Sequence, residues 1–270
     1  FDVATNATPE QVKAAFRRAF IIGRRFRIVH VVYGRGREHE VIEVSTFRAH
    51  LDNADAEKVK GNERTSKRQL EGIQHAVDAS GRVLRDNVWG PQIEDAARRD
   101  FTINAMYYDP ASETVLDYHG GMNDIRAKTI RMIGNPSKRY REDPVRMLRA
   151  IRFAAKTNFQ IESETLKPIS ELGDLIHDVP SARLFDEILK LLMSGHAWAG
   201  IQTLQDAGLH HGLLPLIDKA LANDSSAQFI QRALRNTDER IQSGKSVSPG
   251  FLFAALLWPD LELRWRSLLA

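Results

Sequence analysis

Arg98-Arg99-Asp100-Phe101-Thr102-Ile103-Asn104-Ala105-Met106 sets two guanidinium groups against one carboxylate and places a lone asparagine inside an apolar run. An arginine's planar fork matches phosphate and sugar oxygens. A carboxylate can hold a metal ion that binds the same phosphates. A solvated arginine-aspartate pair capping a helix is the plainer reading of the same residues. The surrounding chain decides between them.

The chain has 270 residues, 43% hydrophobic and 27% charged, the profile of a globular protein with room for a substantial core. Cysteine is absent, which excludes disulfides and thiolate metal sites and fits a cytoplasmic protein. No apolar run approaches the ~20 residues of a membrane span. The chain opens at Phe1 without methionine, so the native N-terminus is expected upstream. Net charge is only +3, but arginine outnumbers lysine 27 to 11. The arginines cluster at Arg24, Arg25 and Arg27, at Arg98 and Arg99, at Arg139 and Arg141, and at Arg146, Arg149 and Arg152. Such clusters suit phosphate and nucleic-acid contacts, while ordinary surface charge is the competing reading.

Upstream of the opening stretch, Phe1-Asp2-Val3 reads as the end of a strand. Thr8-Pro9-Glu10 starts a helix, with Thr8 as cap and Pro9 at its first position. Val12, Ala15, Phe16 and Ala19 supply its apolar face. Two strands follow, Arg25 to Tyr33 and Val41 to Phe47, joined at Gly34-Arg35-Gly36. In the second, Val41, Glu43 and Ser45 share one face and Ile42, Val44 and Thr46 the other. Glu43 is either an exposed-face residue or an acid with a partner. From Ala49 to about Asp86 the chain turns polar and reads as a long mobile loop with room for one short helix.

Downstream, Ile93 to Arg99 reads as a short helix and Val115-Leu116-Asp117 as a strand. Gly120-Gly121 turns into a helix through Lys128, and Ile130 to Ile133 closes the mixed region. After Asn135-Pro136 only helices are expected. The clearest spans Glu142 to Lys156, with Pro144 in its first turn and Leu148, Ile151 and Ala155 on its apolar face. Glu142, Arg146, Arg149 and Phe153 lie opposite, with Asp143 and Arg152 flanking. Asp143 and Arg146 are three residues apart, so their side chains can share one space, either over a ligand or as a solvated ion pair. Further helices are expected at about Ser181–Ser194, Trp198–Ala207 and Ser225–Asn236, and Phe251 to Trp258 should be buried.

These motifs together resemble the bacterial poly(A) polymerases and CCA-adding tRNA nucleotidyltransferases of the polymerase-β-like superfamily. The resemblance runs from Phe1 to about Lys156. It rests on Phe1-Asp2-Val3, the Glu43 strand, Arg98 to Asn104, the Asp117 and Gly120-Gly121 region, and Glu142-Asp143-Pro144-Val145-Arg146-Met147-Leu148-Arg149-Ala150-Ile151-Arg152-Phe153-Ala154. The stretch Gly23-Arg24-Arg25-Phe26-Arg27-Ile28-Val29-His30-Val31 looks like the poly(A) polymerase branch, as do Asn135-Pro136 to Pro144 and Phe251 to Ala255.

The resemblance implies an α+β protein. A nucleotidyltransferase head with a small mixed sheet (1–134) precedes an all-helical neck (135–195) and an RNA-binding helical body (196–270). It implies template-independent transfer of AMP from ATP to RNA 3′ ends with two Mg²⁺ ions. Asp2 and Glu43 would be metal ligands, with Asp2 and Asp100 catalytic. Arg99 and Asn104 would contact phosphate and ribose, while Asp143, Arg146 and Arg149 would address the base; no RNA-binding residues or protein partners are assigned. The family's first metal-binding aspartate and its glycine-rich loop would fall before Phe1, and its basic tail after Ala270. CCA addition to tRNA, or RNA binding on a non-catalytic relative, are the rival readings.

Overall fold

The computed structural model describes residues 2–23, 26–35, 38–49, 57–58, 75–77, 83–209, 218, 221 and 223–269. The chain divides into two compact units, Phe1–Gly121 and Met122–Ala270. The architecture is α+β, with short sheets in the first unit and a predominantly helical second unit. No helix among the described residues is long and apolar enough to cross a membrane.

The first unit is built on a mixed four-stranded sheet in the order β1-β4-β3-β2. Its strands are β1 (Val3–Thr5), β2 (Ala19–Ile22), β3 (Ile28–Arg35) and β4 (Glu38–Thr46). β1 runs parallel to β4, with Val3 beside Val44; the β2-β3 and β3-β4 pairs are antiparallel. Alternation turns Val29, Val31 and Val44 to one face, where they join Val12 of α1 (Pro9–Ala15) and Ala19 in a buried cluster. The opposite face carries Val41 and Glu43. The expected cap forms: the Thr8 hydroxyl accepts the Gln11 amide, and the Gln11 side chain accepts the Thr8 amide at 2.8 Å.

Helical periodicity runs too far here. α1 ends at Ala15, Phe16 is extended and 39% exposed, and Ala19 is buried as the first residue of β2. Cross-strand pairing of Ala19–Ile22 with Ile28–Val31 prevails over the local period. Asp2 precedes β1 rather than ending a strand, and Phe1 lies outside the described residues. The polar 49–86 stretch is not all loop: among its described residues are β5 (Glu57–Lys58), β6 (His75–Val77) and β7 (Val83–Asp86), which form one sheet.

Next come α2 (Gln92–Ala97), a single 3-10 turn at Thr102–Asn104, and the hairpin β8 (Met106–Asp109) with β9 (Thr114–Asp117). Gly121 opens α3 (Gly121–Arg126). A Cβ there would sit 2.4 Å from the Thr102 carbonyl oxygen, so only glycine lets this turn pack against the 3-10 turn. Its amide donates to Asp117 Oδ1 at 2.9 Å, so the aspartate holds the turn in place.

In the second unit, β10 (Thr129–Ile130) pairs with β11 (Gln160–Ile161), a strand in a region expected to be wholly helical. The helix expected across Glu142–Lys156 is α5 (Val145–Thr157), which starts three residues later because Glu142 ends a separate helix, α4 (Pro136–Glu142). Proline disfavours helical backbone in the residue before it, and Asp143 before Pro144 takes φ −152°, ψ 93°. Leu148, Ile151 and Ala155 are buried as expected, joined by Val145, Met147, Ala150 and Ala154. α6 (Ser163–Leu172) packs on α4, where the Tyr140 hydroxyl donates to the Thr165 carbonyl at 2.9 Å. α7 (Ser181–Leu192) and α8 (Ala197–Asp206) pack on α5. The Asp238 carboxylate, from α9 (Asp224–Gln242), caps α8 by accepting the Ala197 and Trp198 amides. In α10 (Pro249–Leu269), Leu252 and Leu256 are buried. Phe251 is 66% and Trp258 49% exposed, so the expected burial of the whole 251–258 run is corrected to one stripe of it.

Candidate active site

The head positions two acids on its sheet. The parallel register continued back one residue from Val3 and Val44 sets Asp2 level with Glu43, and both are exposed. Glu43 also faces His30 across the β3-β4 ladder, with His30 Nε2 3.2 Å from its Oε1. Two carboxylates are hard oxygen donors of the kind Mg²⁺ takes, completed by water and substrate phosphate rather than by a closed protein cage. The donors present therefore fit that ion in kind. Among the described residues no group of three or more His, Asp or Glu side chains is arranged to hold a metal.

The opening stretch forms a second cluster, and its centre is a residue that the sequence did not single out. Asp95, 5% exposed in α2, uses both carboxylate oxygens. Oδ1 accepts the Arg48 amide at 3.0 Å and lies 3.8 Å from the Arg98 guanidinium. Oδ2 accepts Arg99 Nε at 3.3 Å, the Arg99 Nη2 group at 3.0 Å and the Tyr107 hydroxyl at 2.7 Å. Burial pulls Arg99 down, but Asp95 and Tyr107 more than offset it and leave the group above its ordinary pKa. Burial and the bond to Asp95 push Tyr107 up, so its hydroxyl stays a donor. Arg48 stacks over Phe26 at 4.5 Å, and burial lowers it to about 10 against the pull of Asp95.

Asp100 is 8% exposed and its Oδ1 accepts the amide of fully buried Phe101 at 3.0 Å. Asn104 closes the 3-10 turn, its amide bonded to the Phe101 carbonyl at 2.9 Å, with its side chain partly exposed. Arg99 keeps 40% of its side chain exposed while Asp95 holds it.

In the neck, the two residues expected to share one space take different partners. Asp143 Oδ2 accepts from Arg183 of α7 at 2.7 Å. Arg146 donates from one nitrogen to the Arg139 carbonyl at 2.8 Å and to Glu142 Oε2 at 3.2 Å. Arg139 also donates to that glutamate oxygen at 3.2 Å. Arg149 lies 5.6 Å from the Phe153 ring centroid, and Arg152 covers the same ring at 4.4 Å while bonding Glu187. Asp95 could have been found from its spacing, three and four residues ahead of Arg98 and Arg99 on a helix. Arg48, Tyr107 and Arg183 join through tertiary contacts that carry no local signal.

Residues 1–131 match the family described as "Poly A polymerase head domain", and residues 158–221 the one described as "Probable RNA and SrmB- binding site of polymerase A". The chain is 48% identical over 267 residues to Poly(A) polymerase I of Salmonella typhi, which covers 97% of this chain and 54% of that protein. Against Poly(A) polymerase I of Escherichia coli O157:H7 the identity is 47% over 266 residues, 97% of this chain and 53% of that one. A CCA-adding enzyme of Bacillus velezensis is 35% identical over 208 residues, 77% of this chain and 45% of that enzyme. The chain thus spans about half the length of the curated relatives it matches. Among solved structures, the Bacillus stearothermophilus CCA-adding enzyme in complex with CTP superimposes with a TM-score of 0.60 at 27% identity, covering 88% of this chain and 48% of that one. The expected polymerase-β-like head and helical continuation agree with that likeness.

Proposed function

Because the chain belongs to the tRNA nucleotidyltransferase/poly(A) polymerase family, we propose that its protein transfers AMP from ATP to RNA 3′ ends without a template. One observation carries the choice of branch. Identity to several proteins named Poly(A) polymerase I is 45–48% over 97% of the chain, whereas three CCA-adding enzymes reach 32–35% over 74–78%.

In this reading Asp2 and Glu43 hold Mg²⁺, with Asp2 and Asp100 the catalytic acids. Held by these residues, the metal would supply positive charge for the triphosphate and for the attacking hydroxyl. Arg99, held at one edge by Asp95, offers its exposed part to phosphate and ribose oxygens, and Asn104 adds an amide for the ribose. An adenine edge presents an amino donor and a ring-nitrogen acceptor, which a carboxylate and a guanidinium can pair. Asp143 and Arg146 fill those roles, and Arg149 orients the base. Their bonds to Arg183, Glu142 and the Arg139 carbonyl fix the two side chains separately. The second helical match, at 158–221, supports RNA as the acceptor. A cytoplasmic location is part of this reading.

The test is incorporation of labelled ATP and CTP by the full-length gene product, with a generic RNA oligonucleotide and with tRNA lacking its CCA end. ATP addition to the generic RNA in Mg²⁺ is expected. CTP incorporation confined to the tRNA would replace this reading with CCA addition, and a folded protein inert on both would favour a binding role.

A further inference from the structure

We propose that Asp95 is a positioning residue of the head, which fixes the Arg99 guanidinium for the phosphate and ribose oxygens of the incoming nucleotide; this rests on the adenylyl-transfer reading. Three features point beyond simple packing. The carboxylate is nearly fully buried, yet the arginine it binds is 40% exposed, so the cluster ends in a charge presented to solvent. The grip is directional: Nε and one terminal nitrogen both reach Oδ2, so the carboxylate holds that edge of the guanidinium and turns the opposite edge away from it. The same carboxylate is itself held from two other segments, by the Arg48 amide just beyond β4 and by the Tyr107 hydroxyl on β8. Asp95 therefore transmits the rigidity of two strands to one exposed side chain, the support that precise orientation of a substrate-binding group requires.

Asp95→Asn keeps shape and removes charge. An amide can present one oxygen, so it cannot serve the Arg48 amide on one side and three donors on the other. The measurements are ATP affinity by calorimetry and kcat/KM for AMP transfer, in wild-type and Arg99→Lys backgrounds, on the full-length protein. Asp95→Asn should weaken ATP binding and kcat/KM by about tenfold or more in the wild-type background, and by only ~2-fold when Arg99 is already lysine. Tyr107→Phe, which leaves the acid and its arginine in place, should lose ~2–5-fold and show the same dependence on Arg99. Equal losses in both backgrounds would make Asp95 a structural hub acting on the whole fold and overturn the proposal, as would unchanged ATP affinity. If Asp95→Asn does not fold, Tyr107→Phe decides by the same criterion. A wild-type protein that binds ATP but transfers no AMP would overturn the activity reading alone, and the affinities then decide Asp95.

Discussion

The head and the neck solve the same problem, holding arginines steady, in opposite ways. In the head one buried carboxylate, Asp95, gathers Arg99, the Tyr107 hydroxyl and the Arg48 amide. In the neck the charges are distributed. Glu142 is shared by Arg139 and Arg146, while Asp143 is held from α7 by Arg183. A centralised cluster fails all at once, because loss of its acid leaves one buried donor and several part-buried ones without their acceptor. A distributed one loses a single orientation at a time. That suits the proposed division, in which the head handles phosphate and ribose groups common to every nucleotide and the neck discriminates between bases.

The largest expected effect lies at the sheet edge. Asp2→Ala should abolish AMP transfer, by about a thousandfold or more if Asp2 holds the metal, while circular dichroism stays unchanged because Asp2 is exposed. Near-normal turnover in the folded variant would remove Asp2 from the chemistry. Next is the neck's packing face. Leu148 is 5% exposed, so Leu148→Ala should cost roughly 2–5 kcal/mol of folding free energy. Thermal melting should show that loss with the ATP-to-CTP ratio unaltered, and a changed ratio would mean that packing and base choice are not separable. Smaller again is Arg183→Ala. The pair with Asp143 is partly exposed, with side-chain exposures of 31% and 16%, so its stability contribution is about 1 kcal/mol or less. Its effect should instead appear as a few-fold relaxation of ATP preference, and a protein that melts early with selectivity intact would make Arg183 a helix tie only.

Much of this division was legible in residue order, but not all of it. The capping of α1 by Thr8, the buried face of α5 and the alternation of β4 follow from local rules of cap, period and pleat. The break before Pro144 also follows from local rules, and it moves the start of the helix expected at Glu142 to Val145. β2 was hidden because Val12, Ala15, Phe16 and Ala19 keep a helical spacing that only strand pairing overrides. The clusters divide in the same way. Asp95 stands at helical spacing from its arginines, whereas Tyr107 and Arg183 reach their acids from 12 and 40 residues away. An ion pair between Asp143 and Arg146 could be drawn from spacing alone, but each found a partner elsewhere because α4 stops between Glu142 and Asp143.

The most direct test of the division is one ratio, kcat/KM for ATP over that for CTP on a generic RNA, measured for Asp95→Asn and Arg146→Ala beside the wild type. Asp95→Asn should lower both constants together and leave the ratio unchanged, since phosphate and ribose are common to the two nucleotides. Arg146→Ala should lower the ratio by about ten- to a hundredfold, the effect of leaving one polar partner unsatisfied against the base, with little change in melting temperature. An Arg146→Ala protein that melts early and keeps its ATP preference would contradict the account, for Arg146 would then be a structural partner of Glu142 and the neck would not read the base through it.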